Sequence, residues 1–335
     1  MVTSNDFQKA VDLINKANNV LLTTHTRPDG DACASIVAIH HALTALGKKP
    51  KTIFLSDVPE WYGFLFTEKV PVLGKDVTLE QLTRAQFADP DLLIIVDTNS
   101  YSQLPNLDDY LKHLGRPILI IDHHITGDGL GDVELIDTAA SAAGLIVYDL
   151  LKFARWPITE RIAQALFVAV ATDTGWFQFG NTDARTFRDC ADLVAAGADP
   201  AQIYHNLYQN FSHPRFKLMV AMLDSLELHL AGRYAAVQLA RRDFERTGAA
   251  QTDTENLIDE CRRIGTVEAA ALFIELDDGR IRCSLRSRGA VDVRQIAQKF
   301  GGGGHNMAAG AYLPPPLDQA KDLIKTEIQN RLPHQ

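Results

Sequence analysis

The chain has 335 residues, 46% of them apolar and 22% charged, with 33 basic against 42 acidic side chains and a net charge of −9. This length predicts two domains, the composition excludes a disordered or collagen-like chain, and the acidity excludes a broad basic footprint for long duplex nucleic acid. No apolar run approaches the roughly 18 residues of a membrane span, the N-terminus does not read as a signal peptide, and Cys33, Cys190, Cys261 and Cys283 form no CxxC pair, which fits a reducing cytoplasm.

In chain order, residues 20–24, 52–55, 92–96 and 118–121 read as buried strands: short, rich in β-branched residues and flanked by turn formers. Between the first two, residues 32–46 repeat apolar positions at helical spacing and stop at Gly47. Residues 141–170 are helical and Ala-rich, and 184–196, 200–210 and 213–230 read as further helices. Strands resume at 234–239, 269–276 and 280–286, the last two joined by the hairpin signal Asp277-Asp278-Gly279. A helix at 293–300, a glycine loop and a closing helix at 318–331 complete the chain. The expectation is an α/β protein. Residues 1–190 form a mostly parallel sheet with helices on both faces, 191–221 a helical linker, and 222–335 a smaller α/β domain with a mixed sheet.

Four segments end in ionisable residues. His25-Thr-Arg-Pro28-Asp29-Gly30-Asp31 follows the first strand, and Pro28 and Gly30 keep it a loop at the strand's carboxyl end, where ligands of open α/β sheets bind. A plain turn with Asp31 capping the next helix competes evenly with a metal loop here, and two carboxylates beside an imidazole tip the balance toward metal. Asp97 follows the strand Leu92–Val96, and on its own reads as a loop cap. Asp122-His123-His124 ends the next strand, and Asp173 follows the apolar run 165–171. If these segments deliver their acids to one rim, at least four carboxylates converge and repel one another unless cations neutralise them. Two divalent ions would balance Asp29, Asp31, Asp97 and Asp173. Mixed imidazole and carboxylate ligands suit Mn2+, with Mg2+, Fe2+, Co2+ and Zn2+ compatible, and paired metals are the usual apparatus for attack on phosphorus.

In the second region, Gly301–Gly304 followed by His305 allows successive backbone N–H groups to face one anion. Arg286 and Arg288, in Ser284-Leu-Arg286-Ser287-Arg288, are the guanidinium candidates for phosphate. His113, His205, His213, His229 and His334 are isolated, and His40-His41 reads as an ordinary helical pair. Trp176 and Phe177 are equally compatible with stacking a base and with burial under the rim.

These motifs, in this order over essentially the whole chain, resemble the DHH phosphoesterases, a family named for the triplet present here as Asp122-His123-His124. The segment HTRPDGDA is similar to their HxxxDxD motif, and FGGGGHNMAAG to the glycine–histidine signature of the DHH-associated C-terminal domain. The length and the segment LRSRGAVDV look most like the NrnA-type branch, bifunctional oligoribonucleases and pAp phosphatases whose relatives cleave cyclic dinucleotides or their linear products. Cys33-Ala34 departs from the apolar–Gly pair frequent in relatives and touches no ligand position.

The resemblance implies one ion held by His25, Asp29 and Asp97 and a second by Asp31, Asp97, His123 and Asp173. It further implies His124 against the scissile phosphate, Asp122 orienting the imidazoles, and Arg286, Ser287, Arg288, Gly302, Gly303, Gly304 and His305 holding the nucleotide. The implied activity is two-metal hydrolysis of short single-stranded RNA, pAp or cyclic di-AMP by a cytoplasmic homodimer. Two rivals remain: a pyrophosphatase or exopolyphosphatase, whose family lacks the glycine–histidine signature, and a nucleotide sensor that binds without hydrolysis.

Overall fold

A computed structural model describes residues 2–333, and the chain divides after Asn210 into two compact units. The isolated His334 lies outside the described residues. Among those residues no helix is long and apolar enough to cross a membrane.

The first unit runs α1 (Ser4–Lys16), β1 (Asn19–Thr24), α2 (Gly30–Ala45), β2 (Lys49–Thr52), α3 (Leu79–Thr83), β3 (Leu92–Val96), α4 (Asp108–His113), β4 (Ile118–Asp122), β5 (Val133–Ile136), α5 (Ala143–Ala154), α6 (Glu160–Asp173), α7 (Ala184–Ala195) and α8 (Pro200–Tyr208). Its five strands are all parallel, in the order β2-β1-β3-β4-β5. The pleat explains the continuous apolar strands. Leu92, Ile94 and Val96 of β3 face the helices α1, α2, α5 and α6, while Leu93 and Ile95 face Leu82 of α3 and Leu111 of α4. Helix α2 is buried along most of its length because it lies against α6 on one side and the sheet on the other. Small residues allow that approach: a Cβ at Gly144 of α5 would meet Ala169 of α6 at 2.5 Å.

The second unit runs α9 (His213–Asp224), β6 (Glu227–His229), β7 (Tyr234–Leu239), α10 (Arg241–Thr247), β8 (Ala269–Glu275), β9 (Ile281–Ser287), α11 (Val293–Lys299), β10 (Gly303–Gly304), β11 (Ala308–Leu313) and α12 (Leu317–Gln329). Its mixed sheet has the order β10-β11-β9-β8-β7-β6, with β7 and β8 parallel and the other neighbours antiparallel. Phe273, Cys283 and Leu285 face α11 and α12, while Leu272 and Ile274 face α9 and the short turns near Ile258 and Cys261. All four cysteines are buried and unpaired by disulfides.

Several expected elements are redrawn. The second strand is Lys49–Thr52, not 52–55: Ile53 still donates to Leu22, but Phe54 turns away to bridge Val72. Its polar sequence hides an edge strand, where exposed lysines and a proline are tolerated. The helix expected over 141–170 is two, broken where Arg155 takes φ 55° ahead of Pro157. The helix expected over 213–230 stops at Asp224, because the Ser225 hydroxyl binds both Met222 and Gln238 backbone groups and hands the chain to β6.

Candidate metal centre

The sheet order reverses between β1 and β3, and the crevice beyond their carboxyl ends is the switch point at which open α/β sheets bind ligands. Thr24 at the end of β1 ties its hydroxyl to the Val96 carbonyl of β3 at 2.7 Å, so the segments that follow these two strands start side by side. His25 comes next. Its Nδ1 donates to the Thr26 carbonyl at 2.9 Å, which leaves Nε2 facing Asp97 Oδ2 at 3.5 Å.

The first loop resolves its two carboxylates differently from the capping alternative. Asp29, not Asp31, is the N-cap of α2, accepting the Ala32 N–H at 3.0 Å. Asp31 lies in the first turn with 1% of its surface exposed. Its Oδ1 accepts from the Ser35 hydroxyl (2.8 Å) and the Gly144 N–H (3.0 Å), and its Oδ2 from the Ala143 N–H (2.5 Å). The first turn of α5 therefore points its orphan N–H groups at this acid, as helix N-termini do for anions.

Asp97 follows β3 at φ 63°, a left-handed conformation that strains a non-glycine residue and concentrates at functional positions. Its N–H continues the ladder to Ile121, and its side chain is buried. Oδ1 has no hydrogen-bond partner of good geometry, although His123 Nε2 lies 3.4 Å and His124 Nδ1 3.8 Å away. Burial alone would push the Asp97 carboxyl up; the His123 and His25 imidazoles beside it outweigh that and hold the group below the usual range. Conversely, burial opposes charge on both imidazoles, yet Asp97 raises His25 to about 9, and Asp97 and Asp31 raise His123 to about 10.

Strand β4 delivers the triplet. Asp122 is fully buried and its Oδ1 accepts the N–H of His123 (2.8 Å), the N–H of His124 (3.2 Å) and His124 Nδ1 (2.7 Å). That contact, ahead of the burial opposing it, raises the His124 pKa. His123 instead aims Nδ1 at the Ala140 carbonyl at 3.2 Å, leaving Nε2 for Asp97 and for Asp173 Oδ2 at 3.7 Å. Asp173 arrives from the last turn of α6 instead of from a strand end, so three sheet edges and one helix build the rim. Burial and the carboxylates of Asp97 and Asp29 push Asp173 up to about 7 against the opposing charge of His123.

Three groups of ligand atoms lie within 4.8 Å of one another: His25, Asp29 and Asp97; Asp31, His123 and Asp173; and Asp97, His123 and His124. Asp97 belongs to two of them. A buried carboxylate oxygen without a hydrogen bond, ringed by imidazole and carboxylate donors, fits divalent first-row cations. Sequence reasoning missed the supports of this rim: Ser35, the Ala140 carbonyl and the α5 N-terminus. An Ala-rich stretch carries no signal that its backbone holds an acid and an imidazole. His40 and His41 lie on α2 and bind Thr52 and Arg161, outside the rim.

In the second unit, Arg286 of β9 is opposite Ala308 of β11 and holds Asp259 Oδ1 (3.2 Å) and Asn256 Oδ1 (3.3 Å). Ser287 is buried, its oxygen accepting the N–H of Gly289 and Val291, and Arg288 binds the carbonyls of Gly265 and Arg262. Gly301 and Gly302 donate to Gln298 and Ala297 at the end of α11, His305 N–H donates to Ala308, and Gly303 and Gly304 pair with Gly310 and Ala309. The glycines therefore serve a close backbone approach first. A Cβ at Gly302 would fall 2.1 Å from the Gly310 carbonyl oxygen.

Residues 19–171 match the N-terminal domain of the DHH family, and residues 232–330 match the DHHA1 domain. The chain is 29% identical over 321 residues to the bifunctional oligoribonuclease and PAP phosphatase NrnA of Thermus thermophilus, covering 93% of this chain and 90% of the relative. It is 28% identical over 303 residues to the protein of the same description from Bacillus subtilis, covering 88% and 90%. An exopolyphosphatase-related protein from Bacteroides fragilis shares the fold with a TM-score of 0.88 at 21% identity, over 98% of this chain and 97% of that one.

Proposed function

This chain belongs to the DHH family of phosphoesterases, and from that premise we propose that it hydrolyses short oligoribonucleotides, linear dinucleotides included, and 3'-phosphoadenosine 5'-phosphate, using two Mn2+ ions. The observation that carries this reading is Asp97, a buried carboxylate that groups with His25 and Asp29 on one side and with His123 and His124 on the other, and has one oxygen that accepts no hydrogen bond. His25, Asp29 and Asp97 would hold one ion, and Asp31, Asp97, His123 and Asp173 would hold the other. When bound, the cations supply positive charge to the phosphoryl oxygens and lower the pKa of a nearby water.

The side chains do the rest. Asp122 favours the cationic form of His124, whose Nε2–H then donates to a phosphoryl oxygen and stabilises charge that develops there. Arg286, whose guanidinium meets Asp259, Asn256 and the Leu285 carbonyl, is the second unit's candidate for binding a phosphate. The oligoribonuclease and PAP phosphatase relatives support the choice of substrates, and the filled ligand positions favour turnover over mere sensing.

The test compares a dinucleotide RNA, pAp and cyclic di-AMP with Mn2+ present, in the wild type and Asp97→Asn. Mononucleotide release from the dinucleotide is expected, reduced in the variant by roughly 10³-fold, the scale on which transition-state charge stabilisation acts. Binding without release in both proteins would establish the sensor instead.

A further inference from the structure

We propose that Asn181 and Arg185 are positioning residues for the group Asp31–His123–Asp173, which together with the shared Asp97 would hold one ion, and do not act on His25, Asp29 or Asp97. The inference rests on the metal reading of the rim.

Each member of that group is gripped from behind by one turn, residues 137–142, or by the segment that grips this turn. The Ala140 carbonyl takes His123 Nδ1. The N–H groups of Ala143 and Gly144, where the turn opens into α5, take both oxygens of Asp31. The turn itself is pinned by residues 181–186. Asn181 spreads its side-chain amide between two carbonyls, donating to Ser141 at 3.1 Å and to Asp173 at 3.2 Å. Arg185 forks across Asp137 at 2.8 Å and Asp149, and Thr186 Oγ1 lies 3.0 Å from Ser141 Oγ. One short stretch at the start of α7 thus joins all three side chains, the acid from α6 through its own carbonyl and the other two through the turn.

The second group is built differently. His25 leans on its neighbour Thr26, Asp29 caps its own helix through Ala32, and Asp97 is set by its ladder bond to Ile121. None of these contacts passes through residues 137–189. A loss at Asn181 or Arg185 should therefore fall on one ion and spare the other, whereas general loosening of the fold would weaken both. Groups that orient ligands typically govern 10–100-fold in metal affinity.

The full-length chain, stripped of metal, is titrated with Mn2+ by calorimetry as wild type, Asn181→Leu, Arg185→Ala and Arg185→Lys. Asn181 is exposed, so its replacement should leave the melting temperature of the metal-free protein in place. Two classes of site are expected in the wild type. In Asn181→Leu and Arg185→Ala one class weakens by roughly 10-fold while the other stays constant. Arg185→Lys, lacking the two-carboxylate fork, should recover only part of the loss. Equal weakening of both classes, or no change in either, overturns the assignment of these residues. Absence of Mn2+ uptake by the wild type overturns the metal reading itself, and the inference falls with it.

Discussion

Asp122 and Asp97 end neighbouring stretches of apolar strand, yet they face different tasks. Asp122 spends Oδ1 on three hydrogen bonds to His123 and His124 and is itself a member of none of the ligand groups. Asp122→Asn would keep the volume and exchange the charge that orients His124, so turnover of the dinucleotide should fall by roughly 10–100-fold while Mn2+ affinity moves less; equal losses in both would make Asp122 a ligand support instead. The imidazoles also set a pH dependence. In metal-free protein His25 and His123 titrate near 9 and 10, raised above the ordinary value. Their ion pairing with Asp97 therefore stabilises the fold fully below about pH 6.5 and is lost as pH rises through 9 to 10. A cation competes for the same nitrogens, so its binding must expel protons. Mn2+ affinity should increase from pH 6.5 to 8.5, with proton release visible as a dependence of the calorimetric heat on the ionisation enthalpy of the buffer. An isotherm indifferent to pH would count against imidazole ligation.

At the scale of elements, the helices behind the rim act as its rigid backing. Gly144, in the first turn of α5, gives its N–H to Asp31 and lies where a Cβ would collide with Ala169 of α6. Gly144→Ala should cost about 1–3 kcal/mol by overpacking, measured by denaturant unfolding, and Ala169→Gly in the same chain should return part of it. An unchanged midpoint would show that α5 and α6 part easily. The strands β1, β3 and β4 were readable because buried parallel strands are continuous apolar runs, and the acids at their ends were readable because an abrupt charge after such a run has to emerge at an edge. Strand β2, with lysines and a proline, and β5, four residues long, carry no such contrast. Asp173 was found as an acid after an apolar run, but its carrier is a helix. The grip of Asn181 on two carbonyls is a long-range contact between polar groups, and no local pattern encodes it.

The whole molecule separates its duties by unit. Every residue of the carboxylate–imidazole rim lies before Asn210, within a unit that has its own core on both faces of its sheet. Residues 1–210 produced alone should fold and take up Mn2+, yet lose hydrolysis of the dinucleotide if Arg286 and its neighbours hold the substrate; full turnover by the fragment would remove that role from the second unit. The buried cysteines bear on how such a two-unit chain can be studied. Burial pushes the Cys190 thiol up to about 12 and Cys261 to about 11, and raises Cys33 and Cys283 as well, so thiolate, the reactive form, is scarce at neutral pH. The native chain is in effect a silent background for maleimide or nitroxide labelling. One cysteine introduced on the surface of each unit would be the only reactive pair, and the spacing between the two labels could be followed as nucleotide is added, with no native thiol removed.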